Sequence, residues 1–199
     1  MTTFESVTLE APDTTAAAFY NALGLAPYVN VRASDAPSTG FRGFALSLVM
    51  SQPGNVDAII NAAVEAGATT LKPATKSFWG YGGVVQAPDG TLLKVATSAK
   101  KDSGPVSRQI DQVTLLLGVV DVKASKRFYV DQGLPVAKSF GGKYVEFSTT
   151  SAVSLALYPR RALAKDAGVS EDGTGSHRIV LRSDASVLTD PDGFVWEAA

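Results

Sequence analysis

The stretches "VTLEAPDTTAAAFYNALGL" (Val7–Leu25) and "VTLLLGVVDVKASKRFYVDQGL" (Val113–Leu134) share one plan. Each begins as an alternating apolar segment, reaches an Asp, then carries Phe-Tyr and closes on Gly-Leu. Val7 and Leu9 alternate with Ser6, Thr8 and Glu10, which predicts a half-buried strand. Val113, Leu115 and Leu117 alternate in the same way with Gln112, Thr114 and Leu116. Asp13 and Asp121 are placed to cap the helices that follow, and Gly24 to end the first. A second pair of matching segments closes each copy. "WGYGGVVQAPDGTLLKVATS" runs from Trp79 to Ser98, and "SVLTDPDGFVWEAA" ends the chain at Ala199. Proline fixes φ and glycine supplies a positive φ, so each Pro-Asp-Gly predicts a tight turn before a short apolar strand. The fourth residue after each of these glycines is charged, but with opposite sign: Lys94 in one copy, Glu197 in the other.

The repeat divides the chain into residues 1–98 and 109–199, with the polar linker 99–108 between them. In the first half "GFALSLVM" predicts another strand. Val56, Ile59, Ile60, Ala63 and Val64 mark a helix that ends at Gly67. Two strands, around Gly83–Gln86 and Leu92–Ala96, complete it. In the second half "KYVEFST", "AVSLALYP" and "SHRIVLRSD" read as strands, and no second helix fits between the last of these and the closing turn. The second half is thus shorter at its C-terminal end.

A chain of 199 residues buries roughly 70% of its unfolded surface, enough for a core without covalent staples. There is no cysteine, which excludes disulfides and thiolate metal sites. The net charge of −1 gives no basic field for nucleic acid. No apolar run reaches the roughly 20 residues that span a bilayer, and the N-terminus lacks a signal-peptide pattern. The expectation is a soluble, cytoplasmic protein, monomer or homodimer, whose partner is neither membrane nor nucleic acid.

With its Asp-capped Phe-Tyr helices and its PDG strands ending in a charge, twice in order, the sequence resembles the vicinal oxygen chelate superfamily. This is the glyoxalase, bleomycin-resistance and extradiol-dioxygenase group. The resemblance covers nearly the whole chain. It implies an α+β fold of tandem βαβββ units, with curved mixed sheets around a cavity and helices on the convex side. In metal-dependent members, ligands stand just before the first strand, at the start of the mid-domain strand, and on the strand after PDG. Carried across, these places hold Ser6, Gly43 and Lys94 in the first half, and Gln112, Ser176 or His177, and Glu197 in the second. An ammonium at the carboxylate's place repels a cation, so no metal and no other cofactor is expected. Glu10 or Glu5 is expected beside Lys94 on the cavity face.

His177 is the sole histidine. It stands either at the ligand place or, if it shares the face of Ile179 and Leu181, as a part-buried ring bonded to backbone. "SFWGYGG" sets Phe78, Trp79 and Tyr81 among glycines, as a loop offered to a planar ligand or as a cap on the sheet rim. "LYPRRALAKDAG" is either an anion clamp or a short amphipathic helix with a wet charged face. The expected function is metal-free binding of a small organic molecule, as in drug-sequestering, bleomycin-resistance-like proteins. The expected contacts are Ser6, Thr8, Phe78, Trp79, Tyr81, Lys94, Gln112 and Tyr158. The alternative is a lyase, isomerase or dioxygenase with a divergent site, using Glu197 as a base and His177 beside it.

Overall fold

A computed structural model of the chain describes residues 3–184 and 187–199. The elements follow in order: β1 (Phe4–Ala11), α1 (Ala16–Ala22), β2 (Val29–Ala33), β3 (Ser38–Gly40), β4 (Phe44–Val49), α2 (Pro53–Glu65), β5 (Thr69–Ser77), β6 (Gly80–Gln86) and β7 (Leu92–Thr97). After residues 99–108, which form neither helix nor strand, come β8 (Gln112–Val119), α3 (Val122–Asp131), β9 (Val136–Ser139), β10 (Val145–Phe147), β11 (Val153–Pro159) and α4 (Arg160–Ala167). The chain closes with β12 (Gly173–Gly175), β13 (Ile179–Ser183), β14 (Leu188–Thr189) and β15 (Val195–Ala198).

Two segments are complete βαβββ units: β4–α2–β5–β6–β7 and β8–α3–β9–β10–β11. They join through the antiparallel pair β4–β8 into one eight-stranded sheet, ordered β5-β6-β7-β4-β8-β11-β10-β9. The first and last parts of the chain build the other large sheet, ordered β14-β15-β13-β1-β2. Each sheet therefore takes strands from both halves of the sequence. The fold is mixed α+β, as expected.

The main core is made by the apolar rows of both sheets together with α1, α2 and α3. Val7, Leu9, Leu46, Leu48, Leu93, Val95, Leu115, Leu181 and Trp196 all point into it. On α2, Val56, Ile59, Ile60 and Ala63 are buried as their spacing predicts, whereas Val64 is exposed at the rim of the stripe. Asp121 caps α3 by accepting from the amides of Lys123 and Ala124. Asp13 does not cap α1 directly: it accepts from the amide and hydroxyl of Thr15, which takes the cap position without a side-chain bond to the helix amides. The repeated Phe-Tyr motif has a repeated purpose. Tyr20 donates to Asp89 at one PDG turn, and Tyr129 to Asp190 beside the other.

α4 lies on the opposite face of the eight-stranded sheet. Its buried Leu163, Ala164 and Ala167 form a second, smaller core with Ala45, Leu92, Leu116 and Ala156. Ala45, Ala156 and, beside them, Gly118 leave room for the helix to come close. A Cβ at Gly118 would lie 3.2 Å from the Arg160 Cα and 2.8 Å from the Gly43 carbonyl. The amphipathic-helix reading of this segment holds, with its apolar side covering part of the sheet face that the resemblance left to a cavity.

The glycine-rich stretch is not a loop. Ser77 ends β5, Phe78 and Trp79 form the turn, and Gly80 already begins β6. A Cβ at Gly80 would lie 2.0 Å from the Thr97 carbonyl of β7, so the glycine is needed for strand contact.

Candidate functional site

Strand pairing decides which candidate residues meet. On the eight-stranded sheet, one transverse row runs Val84–Lys94–Ser47–Thr114–Ser154, on the face away from α2. Leu93 and Val95 face the core, so the register expected for Lys94 is correct. On the five-stranded sheet, the row runs Ser6–Arg182–Glu197. Ser6 and Lys94, expected together, are therefore on different sheets, and so are Gln112 and Glu197. The first strand of each half pairs with a strand of the other half, which regroups the set.

Neither row suits a metal ion. Lys94 is an ammonium, Ser47, Thr114 and Ser154 are neutral hydroxyls, and Gln112 donates its amide to Ser154 across 3.1 Å. Glu197 meets Arg182 and Arg32. Among the described residues no group of three or more His, Cys, Asp or Glu could hold a metal ion.

Lys94 has a different partner from the one expected. Its Nζ is 3.3 Å from the Asp166 carboxylate on α4 and 5.6 Å from the centre of the Tyr158 ring. Tyr158 donates to the same carboxylate across 3.1 Å. Lys72 on β5 adds two bonds of 2.8 Å, to the carbonyls of Lys165 and Asp166 at the end of α4. Glu10 instead accepts from Arg32, at 2.7 Å. The Glu5 carbonyl accepts from Ser151, on the other sheet's side of the core.

Arg32 bridges Glu10 and Glu197, the latter through two bonds of 2.9 Å. Arg182 stands 3.7 Å from Glu197. Arg32, and to a lesser degree Arg182, holds the Glu197 carboxyl below its ordinary range. A general base at neutral pH needs the opposite shift. Thr8 is buried on the same strand face as Glu10. His177 has one ring nitrogen 2.5 Å from the Arg42 carbonyl and the other 3.0 Å from the Asp192 carbonyl. Its ring stacks on Phe194 at 4.1 Å. This is the backbone-bonded histidine of the second expectation.

The three aromatics separate. Tyr81 turns to the helix-packed side and donates to Asp57 on α2 across 2.8 Å. Phe78 and Trp79 stand at the hairpin tip, 81% and 82% exposed. A cleft of about 200 Å³ lies beside Lys94, walled by Lys72, Gly82, Val84 and Asp166, and none of the three rings lines it.

A more enclosed cavity of about 260 Å³ lies at the other end of the same sheet. Phe41 and Arg42 enter it from the segment before β4, Thr91 from the first PDG turn, Leu92 from the start of β7, and Val169 and Asp172 from the segment after α4. Arg42 donates to the Asp89 carbonyl, while its Nη1 is buried with no partner. Arg42 is not among the residues that the sequence marks. Its one local signal, an arginine between Phe41 and Gly43, does not distinguish it from a surface arginine.

No protein-family model and no curated protein matches the sequence. Solved structures do match the fold. Glyoxalase I from Zea mays superposes with a TM-score of 0.60 at 12% identity, over 98% of this chain and 91% of that one. A putative dioxygenase from Bacillus subtilis subsp. subtilis str. 168 gives 0.51 at 11% identity, over 96% and 71%. The chain has the vicinal oxygen chelate, or glyoxalase-like, fold. The divalent ion of metal-dependent members does not fit the residues that stand at the strand positions here.

Proposed function

We propose that this protein binds a small organic molecule without a resident metal ion, sequestering it as bleomycin-resistance-like proteins do rather than transforming it. The observation that carries the reading is the row Lys94–Ser47–Thr114–Ser154. It crosses the four central strands of the sheet without a carboxylate or an imidazole. Binding needs only a shaped space with apolar walls and a few oriented polar groups. The cavity beside Arg42 offers Phe41, Leu92 and Val169 for the first, and Arg42, Gln86 and Thr91 for the second. Glu197 and His177 are engaged in structural bonds, so the lyase, isomerase or dioxygenase reading has less to work with.

The test is elemental analysis of the purified protein, followed by a thermal-shift screen of small acids, bases and neutral aromatics. The expected result is less than a tenth of an equivalent of any transition metal, together with a saturable shift by at least one compound that is recovered unchanged. A stoichiometric metal released by Glu197→Gln, or turnover of the bound compound, would overturn the reading.

A further inference from the structure

Two buried side-chain polar atoms lack a hydrogen-bond partner among the described residues, and both belong to guanidinium groups. They are Nη1 of Arg42 and Nε of Arg178. Buried donors are nearly always satisfied, and an orphan in a native protein points to an ion or water that completes it. The two arginines are neighbours. His177 sets its ring against the Arg42 carbonyl, and burial lowers the Arg42 pKa, opposed by the Asp89 carboxylate and helped to a lesser degree by the Arg178 charge. Arg178 is also the one described non-glycine residue with a positive φ, 55°. Such strain collects where surrounding structure holds a residue for a purpose.

The room for Arg42 is specific. A Cβ at Gly90 would stand 2.8 Å from its Nη2, so the glycine of the PDG turn makes space for the guanidinium. The acidic side chain of that turn has its hydrogen bonds elsewhere: Asp89 accepts from Tyr20 and Thr91, bonds Arg42 through its carbonyl, and acts on the guanidinium with its carboxylate only through its charge.

Building on the binding reading above, we propose that the cavity beside Arg42 is a site for a compact organic monoanion, a carboxylate with an apolar body. The carboxylate sits against the Arg42 guanidinium on the side that faces Gly90, in a charge-assisted contact that leaves the buried Nη1 out of reach. Arg178 does not line the cavity, and its charge partly offsets that of the Asp89 carboxylate. Phe41, Leu92 and Val169 take the apolar body. A volume of about 260 Å³ corresponds to roughly nine waters, which limits the ligand to a small ring or a short branched chain. Asp172 in the wall accepts from Ser170 across 2.7 Å and repels a second carboxylate. The site therefore selects monoacids over diacids.

The experiment uses the full chain with benzoate, isovalerate and pyruvate as probes, benzamide as the neutral isostere, and succinate as the diacid. Melting temperature and amide NMR shifts are both followed. At least one monocarboxylate is expected to raise the melting temperature saturably and to shift the amides of Gly90, Thr91 and Val169. Benzamide and succinate are expected to do so only weakly. Arg42→Met is expected to weaken the carboxylate by roughly tenfold to a hundredfold, the loss of a charged hydrogen-bond donor. Arg42→Lys should retain part of the binding. The proposal is overturned if none of the three monocarboxylates moves those amides, if benzamide matches benzoate, or if Arg42→Met binds like wild type. Should Arg42→Met not fold, the wild-type NMR map decides: shifts confined to Gly82, Lys94 and Ala96 would place the ligand in the other cleft. A neutral compound that binds elsewhere would leave the binding function standing and remove only the anion site.

Discussion

The Lys94 ammonium lies 3.3 Å from the Asp166 carboxylate, joining the strand after the first PDG turn to the helix that lies across the sheet. The reversed charge at this place thus has a structural partner within the chain. With Lys72 on the last carbonyls of α4, it pins the helix end. The pair is partly exposed, so Lys94→Met should cost no more than about 1 kcal/mol. Leu163 is fully buried beneath the same helix, and Leu163→Ala should cost about 2–5 kcal/mol. Urea unfolding of both variants checks the order. If Lys94→Met proved the costlier, the helix would be held by charge rather than by its apolar face.

The buried Tyr129–Asp190 bond gives a pH signature. Burial raises the Asp190 pKa above its ordinary 3.8, outweighing the hydrogen bonds that lower it, while Tyr129 is pushed well above its own usual value. A carboxyl whose folded pKa is raised favours the native state when protonated. Its contribution is present in full below the ordinary value and is lost as pH rises through the folded pKa. Asp190→Asn should therefore flatten the fall in stability just above pH 4, measured as the midpoint of urea unfolding against pH. Tyr129→Phe leaves a buried acceptor short of a donor and should cost about 1–3 kcal/mol at neutral pH.

Glu197 has the opposite sign. Its bonds to Arg32 lower its pKa from the ordinary 4.5. The stability it supplies is present above that value and is lost as pH falls through the lowered one. Glu197→Gln should reduce the dependence of stability on pH below about 4.5, lowering stability at pH 7 and changing little at the acid end. An unchanged acid limb in Glu197→Gln would mean that the Arg32 bridge does not persist in solution.

The repeat was legible because the same local chemistry occurs twice. Asp121 caps, Gly24 and Gly67 terminate, and each PDG turns the chain, all within a few residues of sequence. Which strand pairs with which was not legible. The alternation of Ser6–Glu10 specifies two faces but no neighbour, and β1 lies between β2 and β13, the latter about 170 residues away. For that reason the sequence sets Ser6 beside Lys94 and does not mark Arg32 as the partner of Glu10. Gly80, Gly82 and Gly83 suggested a loop because glycine weakens a strand, whereas here their missing side chains let β6 lie against its neighbours. Arg42 was silent because its cavity is assembled from the PDG turn at 88–91 and the segment at 169–172, neither of which is near it in sequence.

The two tryptophans give a last check on the hairpin tip. Trp196 is 1% exposed against Phe4 and Tyr129, while Trp79 is 82% exposed beside Phe78. Indole emission should then consist of two populations, one quenched freely by iodide and one protected. Trp79→Phe should remove the quenchable, red-shifted part and alter stability by no more than about 0.5 kcal/mol, as expected for a surface side chain. Trp196→Phe should remove the protected part and be far costlier, because it opens space in the core next to Tyr129. If iodide quenched neither population, the Phe78–Trp79 tip would be covered in solution, and the covering surface, a second copy or another part of this chain, would have to be found. A concentration-dependent loss of quenching would identify the second copy, since a contact within one chain does not depend on concentration.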